Sequence, residues 1–274
     1  MPLVFAAIAP HGSEIVSQLT DDPALMATTR AAMQELGRRF AAAKIDTIVV
    51  LTPHGIVVEG ALSISGTRHA AGIVGEPDGK HIKVAFESDL VFTAALQTEC
   101  EKVTIPLARL VGDDSKEKAV LPLDWGAVIP LWFTAHPLTH PRPQTVIVAP
   151  DRSLPRETLV RFGVALARCA AATPKRIALI ASCDLGHAHD PDGPYGFSPV
   201  SAEHDGKMCA AIVSEDLGSL LEWEEAFLED AKVDAFWQTI ILAGALGHTL
   251  LTGELLSYEA PTYFGMAVAV YEAP

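Results

Sequence analysis

The stretch Thr47-Ile48-Val49-Val50-Leu51-Thr52-Pro53-His54-Gly55 shows the pattern that decides the fold. Its first five residues are β-branched or apolar without polar alternation, which is typical of a strand buried on both faces of a sheet. The run stops at a histidine that proline precedes and glycine follows, a composition that favours a turn. The stretch therefore predicts a buried strand with a polar side chain at its carboxyl end.

Three other segments repeat this pattern of a buried run that stops at polar residues. They are Met1 to Ala9 before Pro10-His11-Gly12, Thr145 to Ala149 before Pro150-Asp151, and Ile177 to Ala181 before Ser182-Cys183-Asp184-Leu185-Gly186-His187. Strands that are buried on both faces need a covering layer on each side of the sheet. The pattern therefore predicts a layered α/β fold.

Two segments between these runs have the apolar spacing of helices. The first is expected to begin at Asp22-Pro23, an N-cap followed by proline in the first turn, and to end near Lys44. Its apolar face comprises Leu25, Met26, Thr29, Met33, Leu36 and Phe40. The second helix has one packed face, formed by Leu159, Phe162, Leu166 and Cys169.

Other strands indicate that the sheet is not purely parallel. Ile82, Val84 and Phe86 alternate with polar or small residues, as in a strand with one exposed face, and residues 264–271 predict a closing strand. The proline-containing segment 139–144 has similar strands on both sides, so it is expected to be a surface loop. We therefore predict one domain over residues 1–274, a three-layer α/β/α fold with a central, partly mixed β-sheet.

Composition excludes several classes of protein. The chain has 274 residues, 49% of them hydrophobic, and a net charge of -14, which disfavours nucleic acid as a partner. No apolar run reaches the roughly 18 to 20 residues that cross a bilayer, and the amino terminus lacks the positive region of a signal peptide. Four cysteines without a C-x-x-C spacing indicate reduced thiols. We expect a soluble cytoplasmic protein without a membrane partner.

Three histidines follow predicted buried strands, where ligand sites of α/β sheets collect. His11, His54 and His187 are at such positions. The remaining histidines lack this placement, and we expect His69, His81, His204 and His248 to be solvated and His136 and His140 to lie in a surface loop. The sequence lacks the G-x-S-x-G motif of serine hydrolases, the G-x-x-x-x-G-K-[ST] motif of P-loop enzymes and the G-x-G-x-x-G motif of Rossmann dehydrogenases. One metal site with His11 and His54 as ligands and His187 beside it is therefore predicted.

The order of the motifs resembles the class III extradiol ring-cleavage dioxygenases, the LigB superfamily, whose relatives include the Memo proteins. The resemblance rests on Ala9-Pro10-His11-Gly12, Thr52-Pro53-His54-Gly55, Leu123-Asp124-Trp125-Gly126 with Pro130-Leu131, and Ser182 to His187. It implies that His11 and His54 bind the metal and that His187 is the catalytic acid/base. It also implies Fe(II) as the cofactor. The alternative is that the purified protein contains zinc or another divalent ion.

The implied chemistry agrees with the residue types. Two histidines and one carboxylate leave three adjacent positions on Fe(II), enough for a bidentate catecholate and O2. A nearby histidine suits the proton transfers, because imidazole gains and loses a proton near neutral pH. The resemblance therefore implies a small aromatic substrate and O2 as partners.

The third metal ligand is a carboxylate that the sequence does not single out. The resemblance implies a glutamate shortly before a C-terminal helix, here predicted around Trp237 to Ile241, and no acidic residue before that helix matches the pattern cleanly. Asp234 is closest to that helix, where it could also be the N-cap. The open alternatives are Glu229, Asp230 and Glu259.

Three further residues are expected in the substrate pocket: Trp125, Asp184 and His189. Many ring-cleaving relatives have Asp-His-Gly where this chain has Asp124-Trp125-Gly126, and an indole cannot transfer a proton. Trp125 either stacks on an aromatic substrate or is buried as packing, and the sequence favours packing.

Three functions remain open on the sequence alone. The first is an Fe(II)-dependent dioxygenase that opens a catechol-like or aminophenol-like ring, the second a Memo-like metal-binding protein without ring cleavage, and the third a zinc hydrolase. A homo-oligomer, specifically a dimer, is also predicted, because twofold pairs are the commonest symmetric state.

Overall fold

The computed structural model describes residues 3–76, 78–112, 119–139 and 142–274. Their strands are β1 (Leu3–Ala9), β2 (Thr47–Leu51), β3 (Leu62–Ser65), β4 (His69–Gly75), β5 (His81–Glu87), β6 (Leu107–Leu110), β7 (Val120–Pro122), β8 (Gln144–Ala149), β9 (Ile177–Ser182), β10 (Thr252–Glu259) and β11 (Met266–Glu272). Their α-helices are α1 (Ala27–Ala42), α2 (Leu90–Lys102), α3 (Trp125–Phe133), α4 (Arg156–Ala172), α5 (Pro199–Val213), α6 (Glu225–Ala231) and α7 (Phe236–Leu246).

Eight strands form the central sheet, in the order β10-β11-β1-β9-β2-β8-β3-β6. The four strands β1, β9, β2 and β8 run parallel to one another, and each is buried over nearly its whole length, as their unbroken apolar runs predict. β11 is antiparallel to β1 and to β10, and β3 is antiparallel to β8. The sheet is therefore mixed, and the carboxyl ends of its four central strands meet at one edge.

Helices cover both faces of this sheet, which confirms the predicted three-layer class. One core contains the apolar sides of α2, α4, α5 and α7, and the other contains α1, α3 and a second, three-stranded sheet ordered β5-β4-β7. In β5 the residues alternate between buried and exposed, as Ile82, Val84 and Phe86 predict. Helices α4 and α7 cross closely at Gly163. A Cβ atom at this position would lie 2.0 Å from the carbonyl oxygen of Ile241, so a larger residue would not fit.

The boundaries of two predicted elements differ from expectation. Helix α1 begins at Ala27 instead of Pro23, because the Asp22 carboxylate accepts a hydrogen bond from the Ala24 amide and Met26 has a left-handed backbone with φ 55°. The closing strand is β11, which begins two residues after Phe264. In the predicted loop 139–144, His140 and Pro141 lie outside the described residues, and Gln144 already belongs to β8.

Many of the apolar side chains of the chain are buried in these two cores. None of the helices that the described residues form is long and apolar enough to cross a membrane. The cysteines Cys100, Cys169 and Cys183 are buried free thiols and Cys209 is half-buried, in agreement with the expected absence of disulfides within the described ranges.

Candidate metal centre

The strand order brings two of the predicted histidines together. His11 follows β1 and His54 follows β2, and β9 separates these two strands in the sheet. Parallel strands lie about 4.8 Å apart, so residues beyond their carboxyl ends can reach across one intervening strand. The Nε2 atoms of His11 and His54 are 3.1 Å apart, and the two rings meet edge to face at 85°.

Asp234 completes the group from the turn before α7. Its Oδ2 atom lies 3.3 Å from Nε2 of His11 and 3.5 Å from Nε2 of His54. Each of the three residues offers a ligand atom within 4.8 Å of the other two. Among the residues that the structure describes, this is the group of histidine, cysteine and acidic side chains that could hold a metal ion. Asp234 makes no side-chain cap for α7, whose N-cap residue is Ala235, so the alternative N-cap interpretation is wrong.

The other carboxylates considered for the third ligand lie elsewhere. Glu229 and Asp230 are exposed on α6. Glu259 accepts a hydrogen bond from the Thr29 amide at 2.7 Å, near the start of α1. Of the four acidic residues considered, Asp234 is therefore the one that the fold brings to both histidines.

The hydrogen bonds of the group fit a divalent cation. Ser182 donates its hydroxyl proton to the carbonyl of Gly126 at 2.5 Å, so at its 3.0 Å contact with His11 Nδ1 the hydroxyl oxygen must accept. His11 therefore carries its proton on Nδ1 and has a free lone pair on Nε2, the arrangement of a metal-binding imidazole. Oδ2 of Asp234 is buried and has no hydrogen-bond partner among the described residues.

Electrostatics favours an ionised carboxylate between the two imidazoles. Burial alone would raise the pKa of Asp234, but His11, His54 and Arg152 outweigh it and lower the pKa to about 2. Burial lowers the pKa of His54, and its attraction to Asp234 compensates only in part. Burial also disfavours protonated His11, but Asp184 and Asp234 outweigh it and raise that pKa. A buried anion that already attracts positive charge is suited to hold a metal ion.

Arg152 is a site residue that sequence reasoning missed. It follows β8, the fourth parallel strand, and its guanidinium forms an ion pair with Oδ1 of Asp234. The pair leaves Oδ2 as the oxygen that faces the histidines. The signal was present in the sequence, since Pro150-Asp151 ends a buried strand in the same way as the histidine motifs.

The loop after β9 places Asp184 and His187 beside the three residues. Asp184 accepts a hydrogen bond from the backbone amide of His11 at 2.9 Å, and burial raises its pKa, partly opposed by His11. His187 contacts the carbonyl of Leu185 through Nδ1 at 2.8 Å. Because a carbonyl oxygen only accepts, Nδ1 is protonated, and in the neutral ring Nε2 can receive a proton.

Two clefts open onto this group. A cavity of about 800 Å³ is lined by Trp125, Asp184, His187, Tyr195, Tyr263 and Phe264, together with His11 and His54. A second cavity of about 600 Å³ lies beside α6 and α7 and shares His54, His187 and Tyr195 with the first. Ligands can therefore reach the centre from two sides.

Trp125 belongs to the cleft and not to the core. Its side chain is 49% exposed and stacks on His54 with 4.2 Å between ring centroids, so the packing interpretation that the sequence favoured is wrong. Asp124 holds it there as the N-cap of α3, since its carboxylate accepts from the Ala127 amide and from the Thr52 hydroxyl at 2.6 Å. The indole can contact an aromatic ligand but cannot exchange a proton with it.

Two histidine predictions need correction. His189 does not line either cleft; its Nε2 contacts the buried carboxylate of Asp205 at 2.8 Å. His204 is fully buried instead of solvated, with its Nδ1 2.9 Å from the same carboxylate. Asp205 also accepts from the Tyr258 hydroxyl and the Gly186 amide. His189 and His204 therefore support the loop that contains His187 through their shared contact with Asp205. No local sequence pattern indicated this role.

Comparison with known proteins shows the family of the chain. The model of the family described as "Catalytic LigB subunit of aromatic ring-opening dioxygenase" matches residues 5–270. Protein CA_C1420 of Clostridium acetobutylicum is 20% identical over 268 residues, covering 97% of this chain and 57% of that protein, so this chain spans little more than half of its length. The structure is similar to the crystal structure of the uncharacterized protein JW3007 from Escherichia coli K12, with a TM-score of 0.63 and 15% sequence identity. The match covers 97% of this chain and 99% of that one, so the two proteins share a fold. Since the family model covers nearly the whole chain, this protein belongs to the LigB family of aromatic ring-opening dioxygenase catalytic subunits.

Proposed function

We propose that this protein is a non-haem Fe(II)-dependent extradiol dioxygenase that opens a catechol-like or aminophenol-like ring, with both oxygen atoms of O2 entering the product. The observation that carries the proposal is the convergence of His11, His54 and Asp234 in a chain of the LigB family. Two histidines and one carboxylate form the donor set of non-haem Fe(II) oxygenases. An Fe(II) ion bound there would supply adjacent positions for the two ring oxygens and for O2.

The protein's own residues account for binding and proton transfer. Ser182 fixes the His11 ring, and Arg152 fixes the Asp234 carboxylate. His187 accepts a proton from a substrate hydroxyl at Nε2, because its Nδ1–H is held by Leu185. Trp125 and Tyr195 are half-exposed aromatic side chains on the cleft walls and offer contact surface to a flat ring.

The test is metal content followed by oxygen consumption. Purified protein is loaded anaerobically with Fe(II), and O2 uptake is measured against a panel of catechols and aminophenols. We expect about one iron per chain and uptake with at least one ring. The double variant His11→Ala/His54→Ala should lose both metal and uptake, whereas His69→Ala, which removes an exposed histidine on β4, should keep both. Unchanged metal content in the folded double variant would refute the site.

A Memo-like metal-binding function without ring cleavage is the second candidate. It is favoured by Trp125, because many ring-cleaving relatives have a histidine there and this chain has a residue that cannot transfer a proton. A protein that binds one metal per chain but consumes no O2 with any ring would support this candidate. Hydrolysis of test esters or amides by the zinc form would instead favour a zinc hydrolase.

A further inference from the structure

Asp205 on α5 is a fully buried carboxylate outside the candidate metal centre. Its Oδ1 atom accepts hydrogen bonds from the Gly186 amide at 2.8 Å and from Nδ1 of His204 at 2.9 Å. Its Oδ2 atom accepts from Nε2 of His189 at 2.8 Å and from the Tyr258 hydroxyl at 2.9 Å. Burial alone would raise the pKa of Asp205, but the bonds from the two histidines and from Gly186 outweigh burial and lower it. Asp205 is therefore ionised, and both of its oxygens are saturated by groups of the protein.

Two of these four donors lie on either side of His187 in the chain. Gly186 precedes it directly and His189 follows two residues later, and each binds a different oxygen of Asp205. Gly265 permits this approach, because a Cβ atom there would collide with Oδ2 of Asp205. One carboxylate therefore holds both ends of the bend that contains His187.

The bend, residues 185–189, lies outside the helices and strands, yet each of its five backbone amides has a hydrogen-bond partner elsewhere in the protein. Four of these partners are neutral: the carbonyl oxygens of Gly265, Ala231 and Tyr263, bound by residues 185, 187 and 189, and the hydroxyl of Ser201, bound by residue 188. The Gly186 amide instead binds an ionised group, and such hydrogen bonds are roughly twice as strong as neutral ones. Asp205 therefore supplies the strongest attachment of the bend.

The bend determines which nitrogen of His187 carries the proton. Nδ1 donates to the Leu185 carbonyl at 2.8 Å, a contact between residues two apart that requires the bent backbone between them. The hydrogen bond that one ring nitrogen makes sets the tautomer of a histidine. A neutral imidazole in water carries its proton mainly on Nε2, so release of this contact would move the proton there. The ring would then lose the Nε2 lone pair through which it could accept a proton from a ligand.

We infer that Asp205 is a positioning residue, whose bonds to Gly186 and His189 keep His187 in the tautomer with a free lone pair on Nε2. Asp205 lines neither cleft, so it would act on a ligand only through His187. The use of that lone pair in a reaction rests on the proposed function. The tautomer itself is a property of the metal-free protein and is measured without any substrate.

The test is the tautomer of His187, measured by ¹⁵N NMR on the metal-free protein. Long-range ¹H–¹⁵N spectra distinguish a protonated from an unprotonated ring nitrogen, and the His187 signals are those that disappear in His187→Gln. Spectra are recorded in the pH range where these signals no longer move with rising pH, so that the ring is neutral. We expect the proton on Nδ1 in the wild type. A wild-type ring protonated mainly on Nε2 would overturn the inference.

Asp205→Asn is the main variant, because its side chain keeps the shape but offers one acceptor oxygen instead of two. It cannot accept from both Gly186 and His189, so we expect the Nδ1–H form of His187 to fall from the major to the minor species. Glu203→Gln, the same change at an exposed position on α5, should leave the tautomer as in the wild type. An unchanged tautomer in folded Asp205→Asn would refute the positioning role.

Two further variants separate positioning from stability. Tyr258→Phe removes a bond to Oδ2 of Asp205 that comes from β10, whereas His189→Leu removes a bond to the same oxygen that comes from the bend. The leucine variant should shift the His187 tautomer and the phenylalanine variant should not. This comparison decides the question if Asp205→Asn does not fold, and the same result in both variants would contradict the inference.

The positioning role and ring cleavage fail separately. With a ring that the protein consumes, Asp205→Asn should lower kcat in proportion to the lost Nδ1–H form and leave KM within about twofold of wild type. A protein that shows the tautomer shift but consumes no O2 retains the positioning role and loses the ring-cleavage assignment. A protein that consumes O2 without a tautomer shift in the variant retains ring cleavage and loses the positioning role.

Discussion

His187 lies beside the candidate metal centre without belonging to the group of three ligand residues. If it transfers protons and does not bind metal, His187→Gln should retain about one metal per chain and lose turnover by a factor on the order of 100 to 10,000. The measurement is metal content together with O2 uptake on the best ring of the panel. His81→Gln, on β5, is the control and should behave as the wild type. Loss of metal along with activity would make His187 a ligand instead.

Trp125 is an aromatic side chain on the wall of the larger cleft. Because the indole is half-exposed and stacks on His54, Trp125→Ala should weaken binding of 3,4-dihydroxybenzamide by up to about tenfold. The free energy of unfolding should change by less than about 1 kcal/mol, as at other exposed positions. Trp125→Phe keeps an aromatic face and should retain most of the affinity. Intact affinity in the alanine variant would show that the indole does not contact the ligand.

At the level of elements, Asp89 joins α2 to the central sheet. It is 1% exposed and caps α2 by accepting from the Phe92 amide at 3.0 Å, and it also accepts from the Thr47 hydroxyl and from Lys175, each at 2.6 Å. Burial alone would raise the pKa of Asp89, but these three donors outweigh burial and lower it. A carboxylate with a lowered pKa in the folded state stabilises the fold when ionised.

The sign of the pH dependence follows from that lowered pKa. The stabilisation by Asp89 is fully present above its unfolded pKa of about 3.9 and is lost as the pH falls through the lower folded pKa. Asp89→Asn should therefore reduce the free energy of unfolding by about 1 to 3 kcal/mol at pH 7, and the difference from wild type should shrink in acid. Urea denaturation between pH 3 and pH 7 measures it, with Asp230→Asn on exposed α6 as control. A pH-independent difference would refute the linkage.

For the whole molecule, we predict from the sequence that the protein is a homodimer. The chain is 49% hydrophobic, and twofold pairs are the commonest symmetric assembly of soluble proteins. Light scattering coupled to size exclusion at micromolar concentration should give about twice the chain mass of 29.1 kDa. A single species at the monomer mass across a tenfold range of concentration would refute it.

Much of the architecture could be predicted because it depends on patterns within single segments. Unbroken apolar runs predict strands buried on both faces, and the polar residues that end these runs mark the edge where parallel strands meet. His11, His54 and His187 were found in this way. The start of α1 was misplaced, because a hydrogen bond from Ala24 to Asp22 and the left-handed Met26 outweighed the local signal of Asp22-Pro23.

The sequence by itself determined the layered fold class and the strand-end histidines, since periodicity and turn residues are local properties. Only the tertiary structure decided that Asp234 faces His11 and pairs with Arg152, that Trp125 is exposed and that His204 is buried. The direction and burial of these side chains depend on partners far away in the chain, as in the bond between the His11 amide and Asp184, 173 residues apart. No spacing within one segment encodes such a contact, because it exists only after the strands have taken their order in the sheet.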